Sequence, residues 1–487
     1  MTVNYKFKTE PYAHQVTALD LSIDRNAYAF FAEMGAGKSK MLIDTISNLY
    51  LRGEIDFALI IAPKGVYRNW TNKEIPDHFP EDVPHRVIRW VATPNKSQQA
   101  ELRSINKKFD GLTIFVMNVE AFSTIKGKAA GEWLAKNLGP RGLIGIDEST
   151  TIKNHKAKRT KSLVQLARGF RYKRIMTGSP ITKEPMDIYA QAAFLGPRLL
   201  GYDSYYAFQG RYAITQRRTM GAHSFQQVVG YQNLDELTQK IDTFSYRVLK
   251  EDCLDLPDKT FTVRYVTLTK EQRQMYEKLR QDGFLMLNEG DMVSTPQIIT
   301  LMLRLQQVIS GHLMTDDGEL LTFPSGRIEA LKEVVAETSG KIIVFARFRH
   351  SIKQIKEALE AEYGEGSAVT YFGDTTVEAR ELAVKNFQDP AAKTRFFITN
   401  KTGAYGITLT EASTMVFYES DFSLEVRLQA QDRLHRIGQK NPVTYIDLIA
   451  EGTIDEKIVE NLRNKIDMGA KVLGEKAREW LTLKPKT

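Results

Sequence analysis

The apolar residues of this chain follow two rhythms. Short, largely unbroken apolar runs occupy residues 27–31, 57–62, 113–117 and 143–146. Runs of that length read as strands buried on both faces, as in a parallel sheet. A further strand at 173–177 ends in Thr177-Gly178-Ser179-Pro180. Between the runs the rhythm changes, and Leu42, Ile46 and Leu49 recur at helical spacing. The alternation resumes at Lys341. Residues 342–345, 369–372, 395–398, 415–418 and 444–449 read as strands, and Ile352, Ile355, Ala358 and Leu359 share one helix face. Strands alternating with helices in this way predict an α/β fold, with one parallel sheet in each half. The stretch between the halves is less regular, with helical periodicity at 271–287 and 298–309 and a linker at 254–258. The expected organisation is a first α/β domain at 1–195, helical insertions and a linker at 196–325, and a second α/β domain at 326–487.

Composition narrows this picture only slightly. A chain of 487 residues is too long for one core. Its formal charge of +8 is a mild excess, favouring a polyanionic partner no more than solvated basic faces do. A single cysteine, Cys253, excludes an internal disulfide and a zinc site built on several thiolates, and fits a reducing compartment. Residues 1–10 carry charges throughout and read as no signal peptide, and no apolar run is long enough to span a membrane. The expected setting is the cytoplasm.

The chemistry concentrates where strands end. Glu33-Met34-Gly35-Ala36-Gly37-Lys38-Ser39 lies between the strand at 27–31 and the helix carrying Leu42, the context of a phosphate-binding loop. Gly35 and Gly37 let backbone N–H groups turn toward an anion, and the helix start adds partial positive charge. Lys38 suits the β/γ-phosphates and the Ser39 hydroxyl suits Mg²⁺. Ala32 stands where the full pattern has its first glycine. The strand at 143–146 runs into Asp147-Glu148. An acidic pair there suits a nucleotide hydrolase, Asp147 holding Mg²⁺ through water and Glu148 orienting the attacking water. Gln15 offers an amide that suits adenine, or is a polar residue on a surface helix. Lys64, after the strand at 57–62, suits a phosphate, whereas Trp70 reads as packing. The basic run from Lys153 to Lys161 and the interleaved Tyr and Arg at 202–218 read equally as nucleic-acid surface or as ordinary helix. In the second half, glycines at 403 and 406 permit close approach. Arg433 and Arg436, three apart, are expected on one helix face, where paired guanidiniums suit a transferring phosphoryl group.

Taken together and in order, these stretches resemble the Swi/Snf-like ATPases of helicase superfamily two. Pro11-Tyr12-Ala13-His14-Gln15 looks like the family's adenine-reading motif, and residues 33–39 like its first motif. Residues 60–64 with Asn69-Trp70, then Asp147-Glu148-Ser149-Thr150 with Lys153-Asn154, then Thr177-Gly178-Ser179-Pro180, look like those that follow. Arg247 to Pro257 and Leu268 to Tyr276 resemble the inter-lobe segment. Val344-Phe345, residues 403–409 and residues 429–439 resemble the last three motifs. The 429–439 stretch, with Gln429-Ala430, Asp432-Arg433 and His435-Arg436-Ile437-Gly438-Gln439, is the most specific. The chain departs from the family at Thr150, Ser179, Thr408 and residues 421–423, and none of these removes a catalytic group.

The resemblance implies two tandem RecA-like lobes, ATP and Mg²⁺ as cofactors, and DNA as partner to a monomer. It implies catalytic roles for Lys38, Asp147, Glu148, Arg433 and Arg436. Nucleotide contacts are implied at His14, Gln15, Met34, Gly35, Ala36, Gly37, Lys38, Ser39, Lys40 and Gln429, and Mg²⁺ at Ser39 and Asp147. Nucleic-acid contacts are implied at Pro63, Lys64, Asn118, Lys153, Asn154, Arg347, Thr402 and Gly403. The expected activity is ATP-driven translocation on duplex DNA that remodels DNA or DNA–protein complexes. The alternatives are a strand-separating or branch-migrating helicase and a nucleotide-gated DNA clamp with little turnover.

Overall fold

The computed structural model describes residues 5–220, 223–253, 256–288, 295–315 and 317–473. The described chain divides into two compact units. The first holds residues 5–215, 228–253 and 468–473; the second holds 216–220, 223–227 and 256–467, among described residues.

The first unit contains β1 (Ala27–Ala32), β2 (Phe57–Ala62), β3 (His85–Arg89), β4 (Leu112–Asn118), β5 (Gly142–Asp147) and β6 (Tyr172–Met176). After them in the chain, β7 (Ala213–Met220) and β8 (His223–Tyr231), which fall in the first unit only at residues 213–215 and 228–231, pair only with each other, and β9 (Ser245–Val248) rejoins the first unit's main sheet. The sheet order is β3-β4-β2-β5-β6-β1-β9, with every pairing parallel. β2 is buried at every position because both its faces are covered. Alternate residues enter opposite cores: Leu59 and Ile61 join Phe31 and Ile146, while Ala58 and Ile60 join Phe30, Leu42 and Trp70. That is the period of two expected of a strand.

The strands β3 and β9 are additions to the expected set. Both lie at sheet edges. An edge strand buries only part of itself, so β3 reads His-Arg-Val-Ile-Arg, with Ile88 alone fully buried. Such a sequence lacks the unbroken run that marks an inner strand.

The second unit contains β10 (Lys259–Val266), β11 (His312–Met314), β12 (Leu320–Thr322), β13 (Lys341–Phe345), β14 (Ala368–Tyr371), β15 (Phe396–Thr399), β16 (Ala412–Phe417) and β17 (Val443–Ala450). Its main sheet runs β10-β17-β16-β13-β15-β14, again parallel throughout. The stretch 196–325 therefore supplies strands as well as helices. The helices at Lys270–Asn288 and Thr295–Ile309 fall where periodicity places them. Part of the expected linker, residues 254–255, lies outside the described residues. No helix among the described residues is long and apolar enough to cross a membrane.

Buried charges pin the second unit. Arg427 grips Asp447 with two bonds of 2.5 and 2.8 Å. Arg327, almost wholly buried, bonds the Asp455 carboxylate and the Tyr418 carbonyl. Glu419 accepts from the Arg347 and Phe348 amides at 2.7 and 3.0 Å and from the Ser351 hydroxyl at 2.5 Å. It thereby caps the positive end of the helix Arg349–Tyr363. Breaking such a pair leaves a buried charge alone, which costs far more than the pair itself contributes. Asp455→Ala is expected to destabilise the second unit by about 3–5 kcal/mol, read as a lowered urea midpoint by circular dichroism. Arg327→Met with Asp455→Leu should recover most of that loss.

Candidate nucleotide site

The loop after β1 turns on two left-handed glycines, Gly35 at φ +89° and Gly37 at φ +78°. Gly37 is fixed sterically too, because a Cβ there would stand 2.1 Å from Gln15 Nε2. The helix Lys38–Leu51 begins at once, with the Met41 amide on the Gly37 carbonyl at 3.2 Å. His14 and Gln15 reach the loop from the preceding helix. His14 Nε2 lies 2.8 Å from the Ala36 carbonyl, and Gln15 Nε2 donates to the same oxygen at 3.3 Å. Gln15 Oε1 accepts from the Tyr12 amide at 3.1 Å. Both residues are buried, so Gln15 is no surface polar group. Lys38 Nζ donates to the Glu33 carbonyl across the loop at 3.3 Å.

Asp147 ends β5 and Glu148 follows at φ +51°, a left-handed conformation costly for a side chain with a Cβ. That sharp exit accompanies a hydrogen bond from Thr177 Oγ1 to Glu148 Oε2 at 3.2 Å. The hydroxyl after β6 thus meets the acidic pair. Gly178 lets the same turn approach the Met34 amide, which a Cβ would meet at 3.3 Å. Arg247, on β9, joins these parts by donating to the Phe31 and Gly178 carbonyls, each at 2.9 Å.

Trp70 is not merely packing. Its indole N–H donates to Asp147 Oδ2 at 3.0 Å. Burial pushes the Asp147 carboxyl above the usual range, and the Lys38 charge and the Trp70 hydrogen bond pull it back. The signal in sequence was only an Asn-Trp pair after a strand, which does not reveal its partner.

Several expected contact residues have structural partners of their own. Lys40 forms a buried ion pair with Asp44 at 2.9 Å, and Tyr5 donates to the same carboxylate at 2.6 Å. Lys153 bonds Thr182 Oγ1 and lies 3.8 Å from Asp187, so its charge serves the turn after β6. Asn154 accepts from the Lys156 amide at 2.9 Å, closing a local turn. Pro63 accepts from the Val66 and Tyr67 amides at 2.9 Å. Glu120 draws together the Lys64 amide, at 3.1 Å, and Asn118 Nδ2, also at 3.1 Å, leaving the Lys64 side chain exposed.

In the second unit, Arg347 donates to Gln306 Oε1 at 2.6 Å and lies over the Phe422 ring at 4.7 Å. Burial lowers its guanidinium pKa. The residue is half-buried. The Thr402 amide donates to Asn400 Oδ1 at 3.0 Å. At Gly403 a Cβ would meet Thr399 Oγ1 at 2.2 Å, so close packing already requires glycine there.

The helix carrying Gln429 and Arg433 ends at Leu434, with His435 at φ −96° and ψ 86°. Arg436 thus lies beyond the helix and does not share a face with Arg433 by periodicity. The two still converge. Arg433 donates to the Gln429 carbonyl at 3.1 Å and the Ile407 carbonyl at 3.0 Å, and Arg436 to Ile407 at 3.3 Å. Gln439 locks this turn by donating to the Ala412, Thr410 and Leu434 carbonyls at 2.7, 3.1 and 3.2 Å. Gln429 Oε1 is buried with no hydrogen-bond partner among the described residues.

For Mg²⁺ the donors in the first unit are the Ser39 hydroxyl and the Asp147 carboxylate. One or two carboxylate-type ligands beside phosphate oxygens are what this ion ordinarily takes. A desolvated carboxylate with one indole donor has acceptor capacity to spare, so the residues fit.

Comparisons with known proteins place these features in context. A family model described as SNF2-related domain matches residues 14–312, and one described as helicase conserved C-terminal domain matches residues 326–438. An uncharacterized ATP-dependent helicase of Mycoplasma genitalium is 25% identical over 449 residues, covering 91% of this chain and 40% of its own length. An ISWI chromatin-remodeling complex ATPase of Arabidopsis thaliana is 26% identical over 462 residues, with coverages of 91% and 40%. A SWI/SNF-related, matrix-associated, actin-dependent regulator of chromatin (subfamily A member 1) of Mus musculus is 27% identical over 464 residues, with coverages of 91% and 41%. The chain thus spans about two-fifths of the length of the curated relatives it matches. Among solved structures, the Sulfolobus solfataricus SWI2/SNF2 ATPase core in complex with dsDNA shares 24% identity. It covers 94% of this chain and 91% of that one, with a TM-score of 0.43.

The raised Asp147 pKa has a consequence for stability. An acid whose folded pKa exceeds its unfolded value costs stability above that folded pKa, and the cost fades as pH falls through it. Asp147→Asn keeps the acceptor for Trp70 and removes the charge. It should raise the melting temperature by a few degrees at neutral pH, a gain that shrinks on acidification.

Proposed function

The chain belongs to the SNF2-related family of superfamily-two ATP hydrolases, and from that premise we propose that it is an ATP-driven motor on duplex DNA. The reading is carried by one observation: the Gly35–Ser39 turn and the Asp147–Glu148 pair lie at carboxyl ends of strands in one parallel sheet, where such folds bind ligands. The Gly35–Gly37 backbone and the helix start hold the phosphates, Lys38 meets the β/γ-phosphates, and His14 and Gln15 brace the loop beside the base. Mg²⁺, when bound, neutralises phosphate charge, with Ser39 and Asp147 to hold it. Glu148, oriented by Thr177, positions the attacking water.

Arg433 and Arg436, converging on the Ile407 carbonyl, are the charges proposed to stabilise the transferring phosphoryl group, a role worth roughly 10³–10⁵ in rate elsewhere. Gln429 belongs to the same segment. DNA is gripped through phosphates, which carry little sequence information. Lys64 and Thr402 remain the side chains best suited to this, Asn118 and Asn154 being partly engaged already. The name of one relative, a chromatin-remodeling complex ATPase, agrees with DNA as the track.

The test is ATP hydrolysis with and without duplex DNA. Duplex should stimulate turnover, and Lys38→Ala should lower it roughly a hundredfold or more while DNA binding survives. Absence of stimulation by duplex would overturn the motor reading. Strand displacement from a labelled fork would favour the helicase alternative over translocation alone.

A further inference from the structure

The strands β7 and β8 form a two-stranded sheet of their own, joined through residues 221–222, which lie outside the described residues. Two strands connected so tightly run antiparallel. The base of this ribbon is rooted in the first unit. Ala213 is in its core and Val228 and Tyr231 pack against it, the Gln232 amide bonds the Tyr212 carbonyl at 2.9 Å, and Tyr231 donates to Glu184 at 3.0 Å. Farther out the ribbon has no core. Residues 214–219 are all exposed, as are Ser224, Gln226 and Gln227. An isolated ribbon without a buried face is marginal on its own.

Its charge is one-sided. Arg217 and Arg218 lie on β7, and no aspartate or glutamate occurs between Asp203 and Asp235. The two arginines bond only neutral partners among the described residues, Arg217 to Ser224 Oγ at 3.0 Å and Arg218 to Gln227 Oε1 at 3.2 Å. Being consecutive on a strand, they project to opposite faces. A ribbon lying on a protein surface has one covered face and no use for a cation there. A ribbon inside a groove with phosphates on both walls uses both. The major groove of B-DNA, about 12 Å wide, admits a two-stranded ribbon.

We propose that this ribbon enters a groove of the duplex on which the motor acts, Arg217 and Arg218 contacting phosphates on opposite walls. This rests on the reading of the chain as a duplex-DNA motor. The interleaved tyrosines and arginines at 202–218 thus divide by role: Phe208 and Tyr212 are core, whereas Arg217 and Arg218 are exposed.

The test uses the full chain and a fluorescein-labelled blunt duplex, with binding followed by anisotropy across a KCl series. Arg217→Ala with Arg218→Ala should lower the slope of log affinity against log salt by about 1.8, from roughly 0.9 per phosphate contact. Affinity near ~0.1 M salt should fall roughly tenfold to a hundredfold. Hydrolysis without DNA should be unchanged, and the double Arg→Lys variant should recover the slope. An unchanged slope in the double alanine variant, with DNA-stimulated hydrolysis intact in the wild type, overturns this inference alone. A slope that changes on single-stranded DNA but not on duplex also overturns it. Wild-type protein that neither binds duplex nor is stimulated by it overturns the motor reading itself.

Discussion

An ionised carboxylate is costly to keep where Asp147 stands, and much of the first unit is arranged around that cost. The end of a central strand partly buries the group and so raises the cost of its charge. Only the Lys38 charge and dipoles such as the Trp70 indole offset the loss. A tryptophan from the segment after β2 thus donates to the end of β5, within the influence of the Lys38 charge from the segment after β1. It also places stored cost at the functional centre, together with the left-handed Glu148. Sites that must bind a multiply charged ligand are commonly held in this under-compensated condition, at some expense to stability.

The inner framework was legible in the sequence because its physics is one-dimensional. A strand covered on both faces must be apolar at every position, and β2 is. The glycine turn was legible because Gly35 and Gly37 answer a backbone demand that no other residue meets cheaply. Edge strands escaped for the converse reason. β3 and β10 mix polar and apolar residues because one side meets solvent, and β7 and β8 have hardly any buried side at all.

What the sequence hides is partnership across the fold. Arg174 sits between Lys173 and Ile175 in what looks like an ordinary strand, yet it is fully buried and donates to the carbonyls of Ser22, Arg25, Asn26 and Lys173. Burial pushes its guanidinium down to about 9. Lys40, Lys153 and Arg347, expected from the resemblance to meet a ligand, also have partners within the fold in Asp44, Asp187 and Gln306. Motif residues here divide between holding the motif's shape and presenting its chemistry, and spacing alone does not say which. The pair Arg433 and Arg436 shows the limit well. Helical spacing gave the right neighbours for the wrong reason, since the helix stops at Leu434 and a shared carbonyl, that of Ile407, brings the two together.

The proposed function turns on whether Arg433 and Arg436, which converge on the Ile407 carbonyl, are needed for hydrolysis. The direct measurement is the hydrolysis rate and the nucleotide affinity, taken together on duplex DNA, for Arg433→Ala and Arg436→Ala. The account predicts a rate lower by roughly 10³ or more in each, with affinity within a few-fold of wild type. Undiminished hydrolysis in both variants would contradict it.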